Sequence, residues 1–97
     1  MKFLIIYDIP IEHDPIRTKI SKLLLSYNLI RLNYSVFYGD LTYNLAENIA
    51  IKLEKLVKNI SGDVRIFPIC NSCEKKIIVV KSKFESGFNI IKDLLSL

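Results

Sequence analysis

The sequence has too few residues of several types to build the commoner catalytic and metal centres. It contains one histidine, His13, and two cysteines, Cys70 and Cys73. A single distant histidine offers no nucleophile–base pair, and two cysteines fall short of the four ligands usual for structural zinc. No apolar run approaches the ~20 residues needed to cross a bilayer. No small-residue cleavage site follows Lys2 either, so we expect a cytoplasmic protein without a signal peptide or membrane partner.

The composition indicates a small, mildly basic and unusually apolar domain. The 97 residues carry 14 Lys and Arg against 10 Asp and Glu, a net charge of +4, which weakly favours a polyanionic partner. Hydrophobic residues make up 51% of the chain. Because no membrane span accounts for this excess, we expect part of it to form a buried interface with another protein.

Apolar periodicity predicts a first strand followed by a first helix. Lys2–Asp8 is a continuous apolar run that ends at a carboxylate. Asp14 and Pro15 predict the start of the helix, with Asp14 as its N-cap and Pro15 at the first helical position. Asn28 is expected to end this helix, because asparagine tolerates the left-handed conformation.

The remaining elements complete an α+β order. Arg31–Tyr38 alternates strictly and predicts one strand. Thr42 predicts the N-cap of a second helix, which Ser61–Asp63 ends. Val64–Ile69 and Lys76–Val80 predict two more strands joined by a short turn. We predict the ferredoxin-like fold βαββαβ, with an antiparallel sheet and both helices on one face.

Helices on one face leave the other face of the sheet to be covered. The first strand and the last predicted strand are apolar on both sides, so both need cover on two faces. The C-terminal segment, a second copy of the chain, or both would supply it, and a two-fold homodimer is the simplest arrangement. We therefore expect a domain over residues 1–80 and a docking segment over 81–97. Four apolar residues of that segment fit a short helix after Gly87, and the segment fits equally well as a strand on a partner's sheet edge: Phe84, Phe88, Ile91 and Leu95.

Asp8 is the first candidate for chemistry. A charge at the end of a buried strand is costly unless it is paired or coordinated. In a two-fold dimer whose axis passes near this strand end, two copies of Asp8 approach each other and favour a shared Mg²⁺. A bound Mg²⁺ activates water and polarises a phosphodiester. The nearby Glu12, His13 and Asp14 suit exposed-loop and capping positions better than a metal cluster.

Three further side chains suit phosphate or base recognition. Arg31 and Phe37 are predicted to share the sheet face away from the core, where a guanidinium binds phosphate and a ring stacks on a base or fills a dimer contact. An ordinary interface stripe is the alternative for this pair. Arg17 lies in the first turn of the first helix, where its charge opposes the helix dipole, so a nearby phosphate or carboxylate is expected. The residues predicted to face the core are Leu32, Tyr34, Val36 and Tyr38.

Cys70 and Cys73 form a C-x-x-C motif. A thioredoxin-like motif would stand at a helix start, whereas this one follows a strand and Pro68. We interpret the pair as two thiols in a turn.

Three motifs occur in an order that resembles a known family. They are Phe3–Ile9 (FLIIYDI), Leu29–Thr42 (LIRLNYSVFYGDLT) and Val64–Cys70 (VRIFPIC). The chain is similar over residues 1 to about 80 to the Cas-two family, the small CRISPR-associated proteins of spacer acquisition. Tyr38 stands where an acidic residue is common in that family.

The resemblance implies a ferredoxin-like homodimer in which first-strand aspartates of two chains face each other and bind Mg²⁺, with Mn²⁺ as a substitute. It implies metal-dependent cleavage of RNA or DNA in some members, and a dimer that bridges two dimers of the integrase Cas-one on duplex DNA. Asp8 takes the metal-ligand position in this resemblance. Arg17, Arg31 and Phe37 fall at positions linked to activity.

Three functions are consistent with these residues. The first is a metal-dependent endonuclease in which Asp8 binds Mg²⁺ while Arg17 and Arg31 hold a phosphodiester of single-stranded RNA or duplex DNA. The second is a non-catalytic scaffold in which Lys19 and Lys22, with Arg31, contact duplex phosphates and the C-terminal segment docks on the integrase. The third is a toxin-like RNA-cleaving relative of the same fold.

Overall fold

The computed structural model describes residues 1–81, in the order strand, helix, two strands, helix, strand. The predicted docking segment lies outside this range beyond Lys81, including its apolar residues from Phe84 to Leu95. A 3-10 turn precedes the first helix, and a short helix follows the last strand. The elements are β1 Lys2–Asp8, the 3-10 turn Ile11–His13, α1 Asp14–Ser26, β2 Ile30–Asn33, β3 Val36–Asp40, α2 Tyr43–Val57, β4 Asp63–Ile69 and α3 Asn71–Glu74.

The four strands form one antiparallel sheet in the order β2-β3-β1-β4. β1 lies in the interior of the sheet and pairs with two neighbours, so that Ile5 is opposite Phe37 on one side and Ile66 on the other. This arrangement confirms the predicted α+β, ferredoxin-like fold. No helix within residues 1–81 is long and apolar enough to span a bilayer.

The hydrophobic core lies between one face of the sheet and the two long helices. Burial alternates along β1, which turns its odd-numbered side chains toward the helices and leaves its even-numbered side chains on the opposite face. We call these the helix face and the open face of the sheet. Each fully buried large apolar side chain stabilises the fold by roughly 1.5–3 kcal/mol. The core includes Phe3, Ile5, Tyr7, Ile20, Leu24, Phe37, Ala46, Ile49 and Leu53.

The strand predicted over Arg31–Tyr38 is wrong, because this segment is a hairpin. β2 ends at Asn33, and the backbone N–H of Tyr34 donates to the Asn33 side-chain carbonyl at 2.7 Å, which turns the chain. The pairing register also shifts between Arg31 and Asn33. Arg31 and Phe37 are directly paired and share one face as predicted, but this face is the helix face. Phe37 is therefore buried in the core rather than on the open face, and Tyr34, in the turn, is 80% exposed.

The strand predicted over Lys76–Val80 is also wrong for this chain. After β4 the backbone makes the single turn of α3, and residues 77–80 carry no regular structure. Ile78 and Val80 are 85% and 89% exposed. β-Branched composition favours a strand but does not place the segment beside one, and the outer edge of β4 stays unpaired within residues 1–81.

Two of the predicted helix-end residues are confirmed, whereas Pro15 is the second residue of α1 rather than the first, and α2 ends at Val57, before Ser61–Asp63. Thr42 caps α2, since its hydroxyl accepts from the Leu45 backbone N–H at 3.1 Å. Asn28 has a φ of 62° just after α1, as predicted for a terminating residue. Asp14 was wrong as an N-cap, because it is the first helical residue and His13 precedes it. Its carboxylate is instead engaged by a side chain one turn further on, described below.

Candidate functional site

Asp8 is the last residue of β1, and its side chain is exposed on the open face. The loop that enters β4 passes directly beside it. Gly62 has a φ of +119°, and a Cβ on this residue would lie 2.5 Å from the Asp8 carbonyl oxygen. Only glycine therefore allows the backbone to approach Asp8 so closely. The end of β1 is held tightly at the backbone while its carboxylate remains accessible.

The register of β1 and β4 places Asp63 directly opposite Asp8. Like charges facing each other across an antiparallel pair destabilise the sheet. Arg65 compensates in part, since its Nε lies 3.6 Å from the Asp63 carboxylate. In the sequence, Asp63 is predicted only as part of the Ser61–Asp63 segment that ends the second helix. Its position beside Asp8 depends on the strand register, which no local pattern reveals.

The two carboxylates have the right chemistry for a hard divalent cation. Mg²⁺ takes oxygen ligands, uses one or two carboxylates and keeps several waters. Residues 1–81 bring together no group of three or more His, Cys, Asp and Glu side chains suited to a metal. Asp8 and Asp63 thus have the chemistry to hold a mostly hydrated ion. His13 lies beside Glu12, with 3.6 Å from its Nε2 to the carboxylate, as an ordinary loop pair.

Arg31 lies on the helix face and is held by a network of polar and aromatic contacts. Its guanidinium donates to the Ser21 hydroxyl of α1 and lies 5.2 Å from the centroid of the Phe37 ring. The Tyr7 hydroxyl lies 3.0 Å from the same Ser21 oxygen and donates to the Tyr34 carbonyl at 2.9 Å. This network ties α1, β1, β2 and the hairpin turn together. Ser21 and Tyr7 were missed in the sequence, where they read as ordinary helix and strand positions.

Phe37 cannot stack on a base in this arrangement. It is fully buried, and its ring lies 6.2 Å from that of Tyr7 in a stacked orientation. The structure therefore does not gather the predicted site residues on one face. Asp8 projects from the open face, whereas Arg31 and Phe37 belong to the helix face. The function of Phe37 within the fold is to fill the core and to support the Arg31 guanidinium.

Arg17 has the carboxylate partner that its position at the start of α1 predicted. Its Nη1 donates to Asp14 Oδ1 at 3.2 Å. The pair spans one helical turn, so Asp14 offsets the unfavourable placement of a cation near the helix N-terminus. Lys19 and Lys22, further along α1, are exposed to solvent. The contact of these two lysines with duplex phosphates stays a prediction.

Tyr38 is a polar group on the open face without a partner. It is only 6% exposed, and its hydroxyl makes no hydrogen bond within the described part of the chain. Burial raises the pKa of this phenol, and the nearby carboxylates of Glu74 and Asp40 raise it further. A buried hydroxyl left unpaired costs about 1–3 kcal/mol.

The chain is similar to known proteins along most of its length. A family model described as CRISPR associated protein Cas2 matches residues 1–77. A protein of Archaeoglobus fulgidus named CRISPR-associated endoribonuclease Cas2 1 is 32% identical over 93 residues, which covers 96% of this chain and 94% of that one. A crystal structure of Streptococcus pyogenes Cas2 superposes with a TM-score of 0.71 at 19% identity and covers 84% of this chain and all of that one.

A further relative is a longer protein. A Thermoproteus tenax protein named CRISPR-associated endonuclease Cas1/endonuclease Cas2 fusion is 32% identical over 69 residues, which is 71% of this chain and 25% of that one. The family model, the relatives and the fold agree with the three motifs noted in the sequence. The chain belongs to the CRISPR-associated Cas2 family, which is the Cas-two family that those motifs resemble.

Proposed function

We propose that this protein is a metal-dependent endonuclease that acts as a homodimer in CRISPR spacer acquisition. The observation that carries the proposal is the exposed Asp8 carboxylate at the rim of an open, apolar sheet face. The family and the endoribonuclease names of its relatives support a nuclease. Three parts of the proposal are tested by experiment: cleavage by this chain, its dependence on a metal ion, and its assembly as a homodimer.

The open face supports the homodimer. Its centre is apolar, and the register sets Leu4 beside Tyr38 and Phe67, with Ile6 beside Val36. Phe67 is 43% exposed in the single chain. A two-fold axis through this face would bury the patch against itself. It would also bring two copies of the β1 end, and hence two Asp8 carboxylates, toward one cleft.

In this dimer Asp8 would hold a Mg²⁺ ion, and Asp63 is the nearest side chain able to assist. Mn²⁺ accepts the same oxygen ligands. When bound, such an ion polarises a phosphodiester and lowers the pKa of a coordinated water. The chain itself supplies the fixed position of the carboxylates, because Gly62 permits the close packing of two backbone segments behind them.

The basic residues would then bind the nucleic-acid backbone rather than the reacting phosphate alone. Arg17 stands in the first turn of α1, which follows β1 after one short loop, so it lies at the same end of the sheet as Asp8. Arg31 is fixed on the helix face by Ser21 and Phe37. We assign Arg17 to phosphate binding near the cleft, and Arg31 to positioning with a phosphate contact at its exposed edge.

A scaffold function is a second proposal, favoured by the relative whose name joins Cas1 and Cas2 in one chain. In this proposal the dimer bridges integrase Cas1 units on duplex DNA, and the exposed Lys19 and Lys22 contact its phosphates. Segment 81–97 would dock on the dimer or on that partner. Both functions are compatible with one dimer. No observation on the described residues favours a separate toxin-like activity.

The experiment that tests the nuclease is cleavage of end-labelled single-stranded RNA and duplex DNA with Mg²⁺, with Mn²⁺ and with a chelator. Asp8→Ala is expected to lower the rate by at least about a hundredfold, because losing even an outer-shell partner of a metal typically costs 10–100-fold. Glu54→Ala, an exposed carboxylate on α2, is the matched control and is expected to retain full activity.

Three results would contradict the nuclease proposal. Equal cleavage by the parent protein and Asp8→Ala would identify a contaminant, and cleavage that persists in chelator would exclude metal dependence. No cleavage by either protein would leave the scaffold as the function. The scaffold is tested in a DNA-integration assay with the cognate integrase, where Lys19→Glu with Lys22→Glu is expected to abolish integration and Asp8→Ala to leave it intact.

A further inference from the structure

The structure places the C-x-x-C motif at the start of a short helix, whereas the sequence predicts two thiols in a turn. Cys70 is the N-cap residue of α3, and Cys73 lies within its single turn. The Glu74 backbone N–H donates to the Cys70 carbonyl at 2.9 Å, which closes the turn around both residues. The motif stands at the start of a helix, so its position does not exclude a redox function. Both thiols are free and exposed.

The geometry of this turn suits a disulfide. Residues three apart on a helical turn have Cα atoms separated by about 5 Å. Disulfides form when the Cα atoms are roughly 4.4–6.8 Å apart. The Cys70 sulfur lies 3.2 Å from the Ser72 hydroxyl, on the side of the turn where Cys73 also lies. Closing the bond therefore requires side-chain rotation rather than refolding of the turn.

The two sulfurs have unequal surroundings. The Ser72 hydroxyl, and then the Cys73 backbone and thiol, hydrogen-bond the Cys70 sulfur and lower its pKa to about 7. The same contact raises the pKa of Cys73, because the neighbouring thiolate favours its protonated form. Lys75 and Lys76 follow on the same segment, with Glu74 between them and the cysteines. Cys70 is therefore the thiol expected to attack first, and Cys73 is the thiol expected to attack second.

We propose that Cys70 and Cys73 form a reversible, intrachain redox site whose co-reactant is a low-molecular-weight disulfide. The Cys70 thiolate attacks one sulfur of the co-reactant, forms a mixed disulfide and expels one thiolate. Cys73 then loses its proton and attacks the Cys70 sulfur, which expels the second thiolate. The two protein thiols are oxidised by two electrons, and the co-reactant is reduced to two thiols. Excess small thiol reverses both steps.

The expected rate follows from the thiolate population. At pH 7 a thiol with a pKa of about 7 is half ionised, roughly 50-fold more than a thiol at the ordinary value of 9.0. A weaker base is also a weaker nucleophile, which reduces this advantage to roughly fivefold to eightfold. Disulfides of this kind in reducing compartments are transient rather than structural. The site would therefore respond to a shift in the thiol–disulfide balance.

The test uses the full chain, fully reduced and freed of reductant, then exposed to oxidised glutathione at neutral pH. Intact mass is expected to fall by two hydrogen atoms, and a non-reduced peptide map is expected to join residue 70 to residue 73. Cys73→Ser is expected to stop at a stable glutathione adduct on Cys70. Cys70→Ser is expected to react roughly fivefold to eightfold more slowly than Cys73→Ser.

Ser72→Ala tests whether the reactivity of Cys70 depends on the Ser72 hydroxyl or only on exposure of the thiol to solvent. Losing the Ser72 hydroxyl is expected to raise the pH at which alkylation of Cys70 reaches half its maximal rate, without unfolding the protein. The proposal is overturned by any of three results: no loss of mass in the parent protein, disulfide-linked pairs of chains as the main product, or equal rates in the two serine variants. Each result can be read whether or not the protein is a nuclease.

Discussion

The two faces of the sheet differ in how completely their side chains are buried and paired. The helix face is closed: fully buried side chains from the sheet and both helices fill it, and its polar groups satisfy one another, as in the contacts that join Ser21, Tyr7 and Arg31. The open face keeps apolar residues partly exposed, an acidic rim at Asp8 and a Tyr38 hydroxyl with no hydrogen-bond partner within residues 1–81. The first face accounts for the stability of a small domain, and the second is the face on which the proposed dimer and metal site depend.

The largest expected contrast comes from removing one phenylalanine from each face. Phe37→Ala creates a cavity in the closed core and is expected to lower the free energy of unfolding by about 3–5 kcal/mol. Phe67→Lys places a charge on the partly exposed face and is expected to change the stability of the isolated chain far less. Urea denaturation at several protein concentrations measures both effects.

Protein concentration distinguishes the two mechanisms. A dimer is stabilised by mass action, so the apparent stability of the parent protein should rise with concentration. Phe37→Ala should be destabilised at every concentration, whereas Phe67→Lys should lose only the concentration-dependent part. Sedimentation velocity should show Phe67→Lys as a monomer. If the parent protein is also a monomer at high concentration, the open face does not mediate self-association.

The second contrast concerns Ser21, whose hydroxyl links Arg31 and Tyr7. Ser21→Ala leaves the Arg31 guanidinium without its acceptor and the Tyr7 oxygen without its donor in a partly buried site. The cost is expected to be about 1–3 kcal/mol, the penalty of an unsatisfied polar group. Ser26→Ala is the matched control on the same helix: its exposed hydroxyl only donates to the Leu23 carbonyl at 2.6 Å. Equal destabilisation by both variants would show that the Arg31 network adds nothing beyond a local helix contact.

Much of the closed face could be predicted from the sequence. The apolar run of β1 and the cap at Thr42 are local signals, and the structure confirms them. Arg31 and Phe37 share a face as predicted, but it is the helix face rather than the open face. A period of two shows which residues share a face, and it does not show which face the helices cover.

The open face was harder to predict, because its features depend on pairing between distant segments. Asp63 lies beside Asp8 only through the register of β1 and β4, and no local pattern encodes that register. The strand predicted over residues 76–80 has the right composition, yet composition does not determine whether the segment pairs with the outer edge of β4. The function of Asp8 itself stays a prediction that rests on its placement and on the family, and cleavage assays must decide it.

The smallest expected effect tests whether the open face is covered in solution. Tyr38→Phe removes a buried hydroxyl that has no hydrogen-bond partner among residues 1–81, so in the Phe67→Lys background it is expected to stabilise the fold by about 1 kcal/mol. The pKa of Tyr38 is raised above its ordinary value of 10.0 in the folded state, so the folded state favours the neutral phenol. That contribution is complete below pH 10 and is lost as the pH rises through the folded-state pKa.

Alkaline denaturation measured from neutral pH to above pH 10 should therefore be less steep in Tyr38→Phe. Tyr34→Phe is the control, because that side chain is exposed. The same substitution in the parent protein, where Phe67 is intact, tests whether a second chain covers Tyr38. If a second copy of the chain covers this face and supplies a hydrogen-bond partner, Tyr38→Phe will destabilise the dimer while still stabilising the monomer. A change of sign between the two backgrounds would place the Tyr38 hydroxyl in the interface, and stabilisation in both would place it outside.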